Sequence, residues 1–274
     1  MQRLLVVGYG DIARRALPIL ERRFRLTRLS RRDGADLDVP ATLGVHAADA
    51  LLHCVPPPAT GERDLRTANL LAALSASPRR VVYISTSGVY GDCDGALVDE
   101  TRPVNPQAPR ARRRLDAEQQ LERWCAARGS TLVILRAPGI YAAERLPLER
   151  LRARLPVLRA EDDVYTSHIH ADDLARSVAR ALDEDAPAGI YNAADDTQLH
   201  MGDWLDLVAD HAGLPRPPRA PRREIERLVP APMLSFMQES RRLDNRRLKV
   251  QLGVTLRYPT VHAGLAHEHA IGVD

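Results

Sequence analysis

Arg3-Leu4-Leu5-Val6-Val7-Gly8-Tyr9-Gly10-Asp11-Ile12-Ala13 decides how the rest of this chain is read. The apolar run has the makeup of a buried strand, and Ile12, Ala13, Ala16, Leu17 and Leu20 follow it at helical spacing. Between them lies a G-x-G-x-x-A turn. In such a turn Gly8 permits the tight bend, Gly10 lets the backbone approach phosphates, and Ala13 lets the helix pack close to the strand. The free N–H groups of the new helix face an anion. The reading is a dinucleotide cradle built from Gly8, Gly10, Asp11, Ile12 and Ala13. The alternative is a strand–turn–helix that holds no nucleotide. Pro18 falls inside the helix and is expected to kink or shorten it.

Strand-like and helix-like runs alternate along the chain. Arg25–Leu29, Ala50–Val55, Arg80–Ser85, Thr131–Arg136 and Gly189–Asn192 read as strands. Residues 64–74, 112–128 and 173–182 read as helices, with Gly129 ending the second and Asp172 capping the third. This alternation implies an α/β fold with a doubly wound parallel sheet. Residues 36–48 leave little room for the helix and strand usually found there. From Pro138 onward prolines break the pattern repeatedly. The expected organisation is a dinucleotide-binding core over 1–137, rejoined by 166–196. A cap and C-terminal segment over 138–165 and 197–274 would cover the edge where ligands bind.

The 274 residues carry a formal charge of +3, and no run approaches a membrane span. The first strand begins at once, so no signal peptide is expected. Cys54, Cys93 and Cys125 have no metal spacing and read as reduced thiols, which points to the cytoplasm. Acidic residues nearly balance basic ones, and aromatics do not interleave with the arginines, so nucleic acid is not an expected partner. Lys249 is the only lysine. His267-Glu268-His269 lacks a third ligand at metal spacing and reads as a polar tail, so no metal is expected.

Four segments carry a family resemblance: the glycine turn, Ile84-Ser85-Thr86-Ser87-Gly88-Val89-Tyr90-Gly91-Asp92, Leu135-Arg136-Ala137-Pro138-Gly139-Ile140-Tyr141, and His168-Ile169-His170-Ala171-Asp172-Asp173-Leu174-Ala175. In that order they resemble the extended short-chain dehydrogenase/reductases, which include the NAD-dependent epimerase/dehydratases of nucleotide sugars. The tail Arg242–Leu248 with Leu252-Gly253 is similar to the family's C-terminal segment. The resemblance implies a Rossmann-like sheet and a small substrate cap.

The departures matter as much. The family's catalytic Tyr-x-x-x-Lys pair falls on Arg110 and Arg114 when the helix is aligned on Leu115–Leu121. This resembles an atypical subgroup, often called nucleoside-diphosphate-sugar epimerases, that keeps an upstream Ser/Thr and lacks the pair. Arginine stays charged and cannot act as the base, though Arg114 could supply a cation to a ribose or phosphate. Otherwise Arg110, Arg112, Arg113 and Arg114 form a solvated basic helix start, which is the expectation here. Thr86 takes the family's substrate-side hydroxyl position, flanked by Ser85 and Ser87. Any remaining proton transfer would fall to Tyr90, Tyr141, His168, Asp92 or Cys93, with Tyr141 placed near the nicotinamide by the resemblance.

The second strand ends in Leu29-Ser30-Arg31-Arg32 rather than in an acid. Ser30, Arg31 and Arg32 suit a 2′-phosphate, so NADP is expected over NAD. Val55, Pro56 and Ser85 would complete the cofactor wall. Two functions are compatible with this set. One is an oxidoreductase or epimerase-like enzyme on a polar small-molecule substrate such as a nucleotide sugar. The other is an inactive NADP-binding sensor or regulator. A homodimer through helices 64–74 and 112–128 is expected, although the arginine cluster opposes it.

Overall fold

The computed structural model describes residues 1–44 and 46–271, without the side chains of 231, 232 and 268–271. Six strands form its central sheet: β1 (Gln2–Val7), β2 (Phe24–Leu29), β3 (Ala50–His53), β4 (Arg80–Thr86), β5 (Thr131–Ala137) and β6 (Gly189–Asn192). Every pairing is parallel, in the order β6-β5-β4-β3-β1-β2. The order reverses direction beside β1, and the C-terminal ends of the strands on either side leave a crevice there. Among the described residues the β2–β3 connection holds two short 3-10 turns and a single bridge from His46 to Leu74, with no helix or strand of its own, as the short 36–48 segment leads one to expect.

Alternation within the strands sorts the core into two layers. Leu4, Val6, Leu52, Val82, Val133 and Leu135 face helices α1 (Asp11–Leu20) and α4 (Ala171–Ala181). Leu5, Val7, Leu51, Val81, Tyr83 and Ile134 face α2 (Leu65–Ala72) and α3 (Pro109–Ala126). The helix α1 is short and ends two residues after Pro18. Three boundaries differ from expectation for local reasons. The helix α3 begins at Pro109, because proline is at ease in a first helical turn. Asp64 is the cap of α2, its carboxylate accepting from the N–H groups of Arg66 and Thr67. The cap of α4 is His170, whose Nδ1 accepts from the Asp172 N–H at 3.1 Å, rather than Asp172 itself.

The cap has its own apolar clusters. Tyr141, Leu151, Trp204, Leu205, Val208 and Val261 form one, and Leu158, Ala220, Ile225, Val229 and Met237 another. Short strand pairs stitch it to the core: Gly139–Tyr141 with His168–His170, Tyr165–Thr166 with Leu199–His200, and Leu97–Val98 with Arg242–Leu243. His267 packs on Tyr258, with ring centroids 5.0 Å apart. The side chains of Glu268 and His269 lie outside the described residues. Among the described residues no helix is long and apolar enough to cross a membrane.

Burial under the cap sets two titrations. Asp195 is 3% exposed; its Oδ1 accepts from the Thr197 N–H, and its Oδ2 has no partner among the described residues. Burial therefore pushes its carboxyl up to about 8. His168, whose carbonyl accepts from the Asp195 N–H, is held neutral by burial, down to about 3. A carboxyl protonated in the fold but ionised in the unfolded chain costs stability as pH rises from the ordinary 3.8 to about 8. Asp195→Asn is therefore expected to gain on the parent protein across that window and to level off above it. Urea unfolding at pH 4, 6 and 8 checks this, and a pH-independent difference would show that Asp195 is ionised in the fold.

Candidate functional site

Two cavities open along the C-terminal edge of the sheet, and Pro56 lines both. The first, about 340 Å³, is lined by Gly8, Tyr9, Gly10, Arg14, Ser30, Arg31, Arg32, Asp36, Val55, Pro56 and Arg66. The second, about 510 Å³, is lined by Pro56–Ala59, Thr86, Ser87, Gly88, Arg110, Arg113, Arg114, Gly139 and residues of the cap.

In the first cavity the two turn glycines have different reasons to be glycine. Gly8 has φ +86°, and a Cβ there would lie 2.6 Å from Val55 Cγ2 and 3.0 Å from Val55 N. The register holds Val55 in place: Gly8 N–H donates to Leu29 O and Cys54 N–H to Val7 O. Gly10 is the N-cap of α1 with φ −85°, and a Cβ there would meet nothing within 4 Å. Its flank is the open space into which a phosphate could come against the backbone. Ile12 and Ala13 are buried behind the turn, so their part is packing and backbone, not side-chain contact.

At the far end of this cavity Arg31 and Arg32 are exposed. Asp33 is turned onto Ser30, whose hydroxyl donates to it at 2.5 Å. Arg66 is fixed as a wall, with Nε 2.8 Å from Asp38 Oδ1 and Nη1 2.9 Å from Pro56 O. Asp11 does not face the cavity. Its carboxylate is taken by Arg15 Nε at 2.9 Å and by Arg145 Nη1 at 3.2 Å. Arg15 also reaches Glu144 and Asp172, so an ionic knot ties the start of α1 to the cap.

In the second cavity Thr86 stands at the end of β4. Its Oγ1 accepts from the Gly88 N–H at 3.2 Å, which leaves the hydroxyl proton to donate elsewhere. Ser85 is not beside it. Strand alternation turns Ser85 inward, where it is 3% exposed and donates to Glu118 Oε1. Arg136 grips the same carboxylate, with Nε 3.2 Å from Oε1 and Nη2 2.7 Å from Oε2. Ser85 therefore belongs to a buried structural network and is corrected as a catalytic and cofactor residue.

Tyr141 is corrected too. It is 1% exposed in the cap core, packs against Trp204 and His170, and donates to Thr260 O. Tyr90 is spent on Asn192 Oδ1 at 2.8 Å, and Cys93 is buried. Asp92 accepts from the Ser240 N–H. None of these lines the second cavity.

The start of α3 is a solvated basic patch only in part: Arg110 and Arg112 are exposed, whereas Arg113 and Arg114 turn inward. Arg113 is 6% exposed, and its two Nη groups donate to Gly61 O and Ala59 O. Arg114 Nη1 donates to Tyr83 Oη at 3.0 Å and to Ile84 O at 2.8 Å. Burial holds the Tyr83 phenol neutral, up to about 12, and His53 beside it neutral, down to about 3. Arg110 stacks 4.0 Å over the Phe236 ring and donates to Ser235 Oγ. Only Arg112 of the four points away from the cavity as expected, exposed and bonded to Pro106 O.

The cap supplies what the sequence did not disclose. Tyr165, Met201, Phe236, Glu239 and Arg241 close the second cavity, and Arg241 donates to Glu239 Oε2 at 2.8 Å. Beside arginine, Tyr165 and Glu239 are the ionisable residues that line it. No local pattern marks them, because they come from loops that only tertiary packing lays over Thr86. Among the described residues no group of three or more His, Cys, Asp or Glu could hold a metal.

The model of the NAD dependent epimerase/dehydratase family matches residues 57–194, just over half of the 274 residues. The chain belongs to this family. Comparison with curated proteins returned no match. Among solved structures, a functionally unknown conserved protein from Silicibacter pomeroyi DSS is 30% identical over 100% of both chains, with a TM-score of 0.78. The human epimerase family protein SDR39U1, solved with NADPH, is 18% identical over 98% of this chain and 99% of its own, with a TM-score of 0.76. MoeE5, solved with UDP-glucose and NAD, is 21% identical over 98% and 97%, with a TM-score of 0.75. At those identities the last two establish the shared fold. The family match begins at Pro57, after the glycine turn, so the turn's own geometry carries the argument for that end.

Proposed function

We propose that the chain binds a nicotinamide dinucleotide across the two cavities, with NADP preferred over NAD, and acts on a polar small molecule in the second. The observation that carries this reading is that both cavities lie at the C-terminal edge of the sheet and share Pro56 as a lining residue. One runs from Arg31 and Arg32 past the open flank of Gly10; the other begins at Thr86. Family membership and the NAD- or NADPH-bound neighbours support it. When bound, the cofactor supplies hydride transfer. Arg31 and Arg32 hold a 2′-phosphate, the turn N–H groups face the pyrophosphate, and Thr86 donates to the reacting oxygen. The replacement of the Tyr/Lys pair by Arg110 and Arg114 favours a second reading, a nucleotide-binding sensor without turnover.

Fluorescence titration with NADPH and with NADH tests the first reading. NADPH is expected to bind at least about tenfold more tightly, a difference of about 1.4 kcal/mol. Arg31→Ala/Arg32→Ala is expected to abolish the difference by weakening NADPH alone. Failure of both nucleotides to bind overturns the reading. Binding without NADPH oxidation by any polar carbonyl substrate supports the sensor.

A further inference from the structure

The second cavity is lined by four guanidinium groups and one carboxylate. Arg241 and Glu239 pair with one another, which leaves Arg110, Arg113 and Arg114 without a carboxylate partner among the described residues. Other arginines without an acid, such as Arg80, are spent on carbonyls; what sets Arg110, Arg113 and Arg114 apart is that all three line one cavity with Thr86. The Nε atoms of Arg113 and Arg241 are buried and have no hydrogen-bond partner among the described residues. Guanidinium donors in such a setting cost stability unless an anion meets them. The first turn of an 18-residue helix adds its positive end to the same spot.

The position of these cations relative to the reacting hydroxyl gives the chemical class. A Cβ on Gly88 would lie 3.5 Å from both Ala111 Cβ and Thr86 Oγ1, so the turn that carries Arg110 abuts Thr86. Arg110 and Arg114 are four residues apart on one helix face and flank Ala111, and both line the cavity. The guanidinium of Arg110 sits 4.0 Å over the Phe236 ring, and its Nη1 donates to Ser235 Oγ, which leaves its other N–H groups to meet an anion. The remaining walls near it are apolar, from Phe236, Met201 and the prolines 56–58.

We propose that the substrate carries a carboxylate next to its reacting carbon, as a 2-oxo or 2-hydroxy acid does, and that Arg110, in the place of the family's tyrosine, binds that carboxylate beside Thr86. This rests on the reading of the second cavity as the substrate site. Arg114 completes the positive wall, and Glu239 limits its charge by holding Arg241. The consequence is an acid-binding pocket where the family's acid/base residue would stand.

The test uses oxalate, a planar stand-in for a 2-oxo acid, titrated calorimetrically into the full chain with and without saturating NADPH. Oxalate is expected to bind, and inorganic phosphate to bind at least about tenfold more weakly. Arg110→Gln is expected to weaken oxalate at least about tenfold and to leave NADPH affinity and the melting temperature unchanged. Arg112→Gln, two positions away and turned to solvent, is expected to bind oxalate as the parent does. Oxalate binding that Arg110→Gln does not weaken, phosphate binding as tightly as oxalate, or no oxalate binding at 10 times a millimolar concentration, roughly the weak end of specific affinities, each overturns the proposal. The titration without NADPH keeps the two readings apart: loss of NADPH binding alone strikes the cofactor reading and leaves the carboxylate site standing.

Discussion

Glu118→Ala is expected to lower stability by about 3–5 kcal/mol, the cost of leaving one partner of a buried ion pair uncompensated. Glu118 is 1% exposed and Arg136 is 3% exposed. The carboxylate accepts from Arg136 and from the Ser85 hydroxyl, and the guanidinium lies 4.7 Å over the Tyr90 ring. Removing Glu118 strands a cation between β5 and α3, and Ser85 loses its acceptor. Glu118→Gln keeps an acceptor and is expected to cost less, whereas Glu118→Leu/Arg136→Met removes both charges and is expected to recover most of the loss. Urea unfolding of the four proteins measures these differences. A loss below about 1 kcal/mol for Glu118→Ala would mean that water reaches Arg136 and that the pair is not a fixed part of the core.

The second large effect is on cofactor binding, and the two glycines of the turn are expected to answer differently. Gly8→Val places a branched side chain at φ +86° and drives it into Val55, 2.6 Å from the first added carbon. Backbone strain alone costs about 1–3 kcal/mol, and the clash displaces the segment that positions Pro56. Stability falls, and NADPH binding is expected to be lost. Gly10→Ala is the informative partner. Its φ of −85° suits alanine and its Cβ meets nothing, so the melting temperature is expected to hold. The added methyl nonetheless occupies the space where a pyrophosphate would approach, and NADPH is expected to bind at least about tenfold more weakly. Fluorescence titration alongside a thermal melt decides it. A Gly10→Ala protein that binds NADPH as the parent does would remove the phosphates from this turn.

Where the sequence was readable, the signal was periodic or conformational. Apolar runs of β1, β3, β4 and β5 are buried on both faces of a parallel sheet, so they stand out as continuous stretches. Gly8 and Gly10 were readable because a tight turn leaves few residues a choice. The errors share a different cause. Ser85 sits one residue from Thr86, and a strand's alternation sends it to the buried side, toward Glu118. Tyr141 ends a short strand, but the cap helix bearing Trp204 covers it. Arg113 and Arg114 resembled part of a solvated face because their acceptors, the carbonyls of Ala59, Gly61 and Ile84, carry no side-chain signature.

The sequence by itself determined the parallel α/β sheet and the glycine turn, because each is written in local spacing, and its resemblance to the family placed Arg110 and Arg114 where the Tyr/Lys pair would stand. The tertiary structure alone decided which side chains share a cavity. Phe236, Glu239 and Arg241 lie more than a hundred residues from Arg110, and only the packing of the cap brings them to it. A site at the switch point of a sheet is assembled from strand ends and loops far apart in the chain. Their meeting depends on how layers pack, which no local pattern encodes.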